Sequence, residues 1–175
     1  MLAPASQAQE RLALILSQLD ELPTIPTGEF AAADVPVAVL DTNVILDLWY
    51  WKDRQADALK SVVSSGRMTI VSSPSCLKEL AVVLARPTFA LTISDQEALI
   101  AQVLETAVLV RCEVDGIIGC RDAEDEKFLN LAYAVRANYL FSKDKKVLRA
   151  GRRLRSRGTR TLRPADFDGL AMMPV

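Results

Sequence analysis

Five acids and two small polar residues stand where side chains could do chemistry together. Asp41 directly follows the apolar run 37–40, a place where a charge has little structural advantage, and Asp144 comes three residues after Phe141 at the end of another apolar run. Asp125 lies one helical turn before Phe128, Glu79 lies in the second turn of the segment opened by Ser73 and Pro74, and Asp122 precedes Asp125 by three residues. Taken singly, each has an ordinary explanation: Asp122 as a helix N-cap, Asp125 as a first-turn acid complementing the helix dipole, Glu79 as a solvated helix residue. Gathered at one rim they repel and need a compensating cation. Hard oxygen ligands with neither histidine nor a paired cysteine nearby suit Mg²⁺ or Mn²⁺, as one ion or two. Such a site can activate water and neutralise charge on a phosphodiester during in-line displacement. Asn43 and Ser142 would hold a carboxylate or a water there; their alternatives are helix capping and strand-end hydrogen bonding.

The elements that must position these residues follow from periodicity. Short apolar runs at 37–40, 68–71, 108–110 and 139–141 read as strands, with a weak fifth at 159–162, alternating with amphipathic helices. Ser73 and Pro74 suit N-cap and N1 of a helix carrying Leu77, Leu80, Ala81 and Leu84 on one face. Ser94 and Glu97 have capping-box spacing, Asp122 could cap a helix with the stripe Phe128, Leu131, Ala132 and Val135, and Lys145 to Ala150 reads as a short helix closed by Gly151. Strands alternating with helices imply right-handed βαβ units around a mainly parallel sheet of four to five strands, covered on both faces. In such sheets ligands bind beyond the carboxyl ends of the strands, which is where Asp41 and Asp144 fall.

Residues 1–34 read as an extension ahead of a main domain over 35–175. Ser6 and Gln9 have capping-box spacing, and Leu12, Ile15, Leu16, Leu19 and Leu22 follow helical spacing, which predicts an N-terminal amphipathic helix ended by Pro23 and Pro26. Its apolar face is expected to cover a patch on its own domain or on a second copy. Trp49, Tyr50 and Trp51 form an aromatic cluster that could stack on bases, although packing under a helix or at a dimer or partner interface is the more ordinary use.

The 175 residues contain no histidine, which excludes Ser-His-Asp and Cys-His nucleophilic sites and histidine-ligated zinc. No apolar run reaches the ~18–20 residues of a membrane span, the first charged side chain is Glu10, and the three cysteines form no CxxC pair, so a cytoplasmic protein is expected. The formal net charge of −1 hides an asymmetry. Residues 141–163 hold ten Lys or Arg against one acid, for +9, and the remainder has eleven basic against twenty-one acidic residues, for −10. If the basic block lies beside the acidic rim, Arg149, Arg152, Arg153, Arg155 and Arg157 could hold a phosphate backbone; the alternatives are a solvated loop or a dock for an acidic protein tail.

The stretches VLDTNVIL (39–46), Ser-Pro-Ser-x-x-x-x-Glu-Leu reaching Glu79 and Leu80, CRDAEDEKFLNLA (120–132) and YLFSKDKKVL (139–148) resemble the PIN domain family of metal-dependent nucleases, and within it the branch described as toxins of toxin-antitoxin systems. The resemblance covers about residues 36 to 168, with four motifs in register. It implies a three-layer α/β/α sandwich, catalytic and metal-holding roles for Asp41, Glu79, Asp125 and Asp144, an auxiliary role for Asp122, and Asn43 and Ser142 in the family's polar positions. An RNA substrate, a possible antitoxin partner and a homodimer are the matching expectations. The N-terminal extension is the departure from the short toxins. Other readings are a non-catalytic interaction module on the same fold and a structure-specific DNA nuclease. A receiver-like signalling domain fits poorly, because receivers place their early acids as an adjacent pair and Asp41 is flanked by Leu40 and Thr42.

Overall fold

The computed structural model describes residues 5–32, 34–116, 118–120 and 122–169. Six strands form one parallel sheet: β1 (Ile25–Pro26), β2 (Val37–Leu40), β3 (Thr69–Ser72), β4 (Ala107–Arg111), β5 (Tyr139–Phe141) and β6 (Arg160–Leu162), in the order β1-β4-β3-β2-β5-β6. The helices are α1 (Ala5–Asp20), α2 (Thr42–Trp49), α3 (Asp57–Ser64), α4 (Pro74–Leu84), α5 (Ile93–Thr106), α6 (Glu126–Ala134) and α7 (Lys145–Ala150). The sheet has one strand more than the four to five expected, because Ile25 and Pro26 of the N-terminal extension pair with Val110 and Arg111. Proline is tolerated there because β1 is an edge strand.

Alternation along β2 splits the core into two layers. Ala38 and Leu40 face one side, packed with side chains from α1 to α5, while Val37 and Val39 face the other with Phe128, Leu131 and Ala132 of α6 and Val147 of α7. The sandwich therefore has three layers, and α4 seats its predicted stripe completely, with Leu77, Leu80, Ala81 and Leu84 each at most 1% exposed. Burial of each leucine contributes roughly 1.5–3 kcal/mol. Ser73 caps α4 as expected, its hydroxyl accepting from the Cys76 amide.

α1 packs on this body through Ile15 and Leu19, with ion pairs from Arg11 to Glu97 and from Lys78 to Asp20 at its margin. Tertiary burial holds it, since a 16-residue helix is marginal alone in water.

Three helix-end expectations are corrected. Ser6 lies inside α1, which already includes Ala5. The capping box of α5 is Thr92 with Asp95, two residues before Ser94 and Glu97, and both of its reciprocal hydrogen bonds form. Gly151 does not close α7 but continues into a 3-10 segment, Gly151–Arg157, which ends at Gly158 with φ of +87°. What requires glycine at 151 is closeness: a Cβ there would stand 2.3 Å from the Thr161 hydroxyl oxygen and 2.6 Å from its Cβ on β6. Gly151→Ala is expected to destabilise the fold by about 1–3 kcal/mol through overpacking, read as a lower midpoint in urea unfolding.

Candidate active site

The strand order reverses direction between β2 and β5, the topological switch point at which open parallel sheets bind ligands. The register pairs Leu40 with Phe141, so the next residues, Asp41 and Ser142, emerge side by side from adjacent strands. Asp41 is 3% exposed; its amide donates to the Phe141 carbonyl at 2.9 Å, and its carboxylate accepts from the Ser142 hydroxyl at 2.6 Å. The same hydroxyl accepts from the Asp144 amide at 3.0 Å. Ser142, wholly buried, therefore ties the first acid to the last. Asp144 caps α7, one carboxylate oxygen accepting from the Lys146 amide at 2.6 Å and from that of Val147 at 3.4 Å. Asn43 lies in the first turn of α2 with an exposed side chain.

Glu79 reaches the same rim from α4. Its two oxygens are engaged, one by the Thr42 hydroxyl at 2.8 Å and the other by the Lys127 ammonium at 2.5 Å. Asp125 enters as the residue that caps α6 by position, yet among the described residues no donor hydrogen-bonds its carboxylate. Asp122, expected as the cap, instead makes a local turn by accepting from the Glu124 amide at 3.2 Å and pairs with Lys146 at 3.0 Å.

Electrostatics records how closely these groups converge. Burial pushes the Asp125 pKa up to about 6, and the charges of Asp41, Asp144, Asp122 and Glu79 all push in the same direction. Asp41 is raised by burial, opposed by the Ser142 hydroxyl and the Asn43 amide and reinforced by Glu79 and Asp144. The Lys146 bond holds Asp122 below its ordinary value. Burial alone would lower the Lys127 pKa, but its bonds to Glu79 and Glu124 more than offset this, so it stays charged. Burial pushes the Cys76 thiol up to about 12, which removes a thiolate from the chemistry nearby.

A family model described as PIN domain matches residues 37–146, more than half of the chain and every acid of this rim. The chain belongs to the PIN domain family. No curated protein gives a significant match. PIN domains are generally nucleases, hydrolases of phosphodiester bonds, and generally use divalent metals. The donors of this PIN domain fit that group in kind, since Asp41, Asp125 and Asp144 are hard carboxylates whose mutual repulsion a cation would relieve. Among the described residues no three of them stand preassembled as a ligand set. Two further acids of the rim are paired internally: Lys127 and Thr42 occupy Glu79, and Lys146 occupies Asp122.

The basic block divides. Lys145, Lys146, Arg149 and Arg153 line a cleft of about 370 Å³ against α7, and Lys146 touches the acidic rim through Asp122. Arg153 donates to the carbonyls of Ile118 and Gly119, fixing the loop that leads into α6. Arg157 lies over the Tyr133 ring at 3.9 Å, near the far end of α6, while Arg152 and Arg155 are exposed. The two charge regions thus meet at the start of the block and separate along it.

Of the aromatic cluster, Trp49 packs against the core, Tyr50 donates its hydroxyl to the Phe89 carbonyl at 3.0 Å, and Trp51 is 59% exposed while packing on Tyr50 and Phe89. The sequence reading missed Thr42, Lys127 and the buried Asp47, which pairs with Lys143 at 2.7 Å. Thr42 lies inside the Asp-Thr-Asn motif and Lys127 two residues beyond Asp125, so both were within motifs already singled out.

Proposed function

We propose that this chain is a divalent-metal-dependent endoribonuclease using Mg²⁺ or Mn²⁺, and the toxin component of a toxin-antitoxin pair. The observation that carries the nuclease reading is geometric: Asp41 and Asp144 are tied together through the Ser142 hydroxyl at the switch point of a parallel sheet. Asp41, Asp125 and Asp144 would hold the ion, with Glu79 as the fourth carboxylate of the rim. A divalent ion there supplies positive charge toward the scissile phosphate and makes water a better nucleophile. Ser142 fixes Asp41 relative to Asp144, so that the two carboxylates keep their spacing. The exposed cations Lys145, Lys146 and Arg149 lie beside this rim and suit a phosphate backbone, which they would hold without reading sequence.

The test is incubation of the purified chain with labelled single-stranded RNA and with DNA, in Mn²⁺ and in EDTA. Internal cleavage of RNA in Mn²⁺, lost in EDTA, is expected; cleavage of DNA alone would favour the DNA nuclease. A chain that cuts neither and binds no metal would be an interaction module.

A further inference from the structure

The ion pair between Lys127 and Glu79 sits inside the acidic rim rather than on its solvated margin, the two side chains being 19% and 22% exposed. With Thr42 on its other oxygen, Glu79 has both oxygens engaged. A divalent ion that took Glu79 as a ligand would have to displace an ammonium at 2.5 Å and then face that ammonium across a partly buried site. Lys127 has one other acidic partner, Glu124 at 3.3 Å, whose side chain is 86% exposed and so offers little compensation for leaving Glu79.

We propose that Lys127 is a built-in second cation: it keeps Glu79 out of the ligand set, so that this site takes a single divalent ion on Asp41, Asp125 and Asp144. The inference rests on the nuclease reading above and deepens it by assigning the charge that a second ion would otherwise bring. Lys127 acts here as a positioning residue, holding Glu79 against Thr42 and α4 whether or not the ion is bound.

Calorimetric titration of Mn²⁺ into the full chain at neutral pH reads the number of ions directly, with thermal melting confirming that each variant is folded. The wild type is expected to bind one ion, and Lys127→Met, which frees Glu79, two. The double variant Lys127→Met/Glu79→Gln, which removes both charges of the pair together and keeps an oxygen for Thr42, is expected to bind one ion again, because the second ion needs the freed Glu79 carboxylate. Two ions in the wild type, one ion in a folded Lys127→Met, or two ions retained in the double variant would each overturn the inference and leave the nuclease reading standing. Should Lys127→Met fail to fold, Lys127→Gln, which keeps the position polar, takes its place with the same expected count. Absence of any Mn²⁺ binding in the wild type would remove the nuclease reading and this inference with it.

Discussion

Asp41→Asn is expected to lower RNA cleavage by about 10³-fold or more, equivalent to roughly 4 kcal/mol of transition-state stabilisation, while leaving the fold in place. The backbone at this position does not depend on the carboxylate: the Asp41 amide donates to Phe141, and its carbonyl accepts from the amides of Val44 and Ile45 to start α2. A carboxamide has nearly the same shape, and its oxygen can still accept the Ser142 hydroxyl. What is lost is the buried charge itself, which no lysine pairs with, and with it an attraction for a cation at the switch point. Removing that charge also removes a desolvation cost, so the metal-free variant should melt no lower than the wild type. Asp41→Ala is the poorer control, because it leaves the buried Ser142 hydroxyl without its acceptor. Single-turnover cleavage of end-labelled RNA in Mn²⁺ measures the effect. A residual rate within about tenfold of wild type would assign the chemistry to other residues.

The position of Asp41 was legible because four consecutive apolar residues, buried on both faces, read as a parallel strand, and a charge after such a strand marks the ligand-binding edge. Strand β5 was legible for the same reason, whereas the span of α7 and the Ser73 cap were legible from helix-end signals. Strand β1 was not, since two residues carry no periodicity and pair with Val110 and Arg111, far away in sequence. Around residue 92 two overlapping capping boxes share one spacing, and sequence offers no means of ranking Thr92 with Asp95 over Ser94 with Glu97. The engagement of Glu79 by Lys127 joins residues 48 apart and exists because α4 and α6 approach each other at the rim. The basic block reads as one unit in sequence, but its 3-10 turn fans successive side chains around the axis, sending Arg153 to a loop and Arg157 to Tyr133.

Asp125→Asn should abolish activity and yet raise the stability of the metal-free protein at neutral pH, on the order of 1 kcal/mol once solvent screening of this partly exposed group is allowed for. The sign follows from the pKa, which is raised from 3.8 to about 6 in the folded chain. Between those values the native state binds a proton that the unfolded state releases. The stabilising contribution is therefore fully present below the unfolded value and is lost as pH rises through about 6, where Asp125 must carry its charge among four other acids. Asparagine keeps the shape without that charge, so the variant should lose this part of the fall in melting temperature between about pH 4 and pH 7, a window set by the shift from 3.8 to about 6. Metal binding runs the opposite way. A cation needs the carboxylate, so the rise in melting temperature produced by Mn²⁺ in the wild type should grow across the same window, and in Asp125→Asn it should be small throughout. Melting curves with and without Mn²⁺ at three pH values separate the two effects, because repulsion among the acids and attraction for the ion are the same charges acting with opposite consequences. A wild type whose metal-free stability rises from about pH 4 to pH 7 by as much as the variant's would show that Asp125 is not under the strain its surroundings impose.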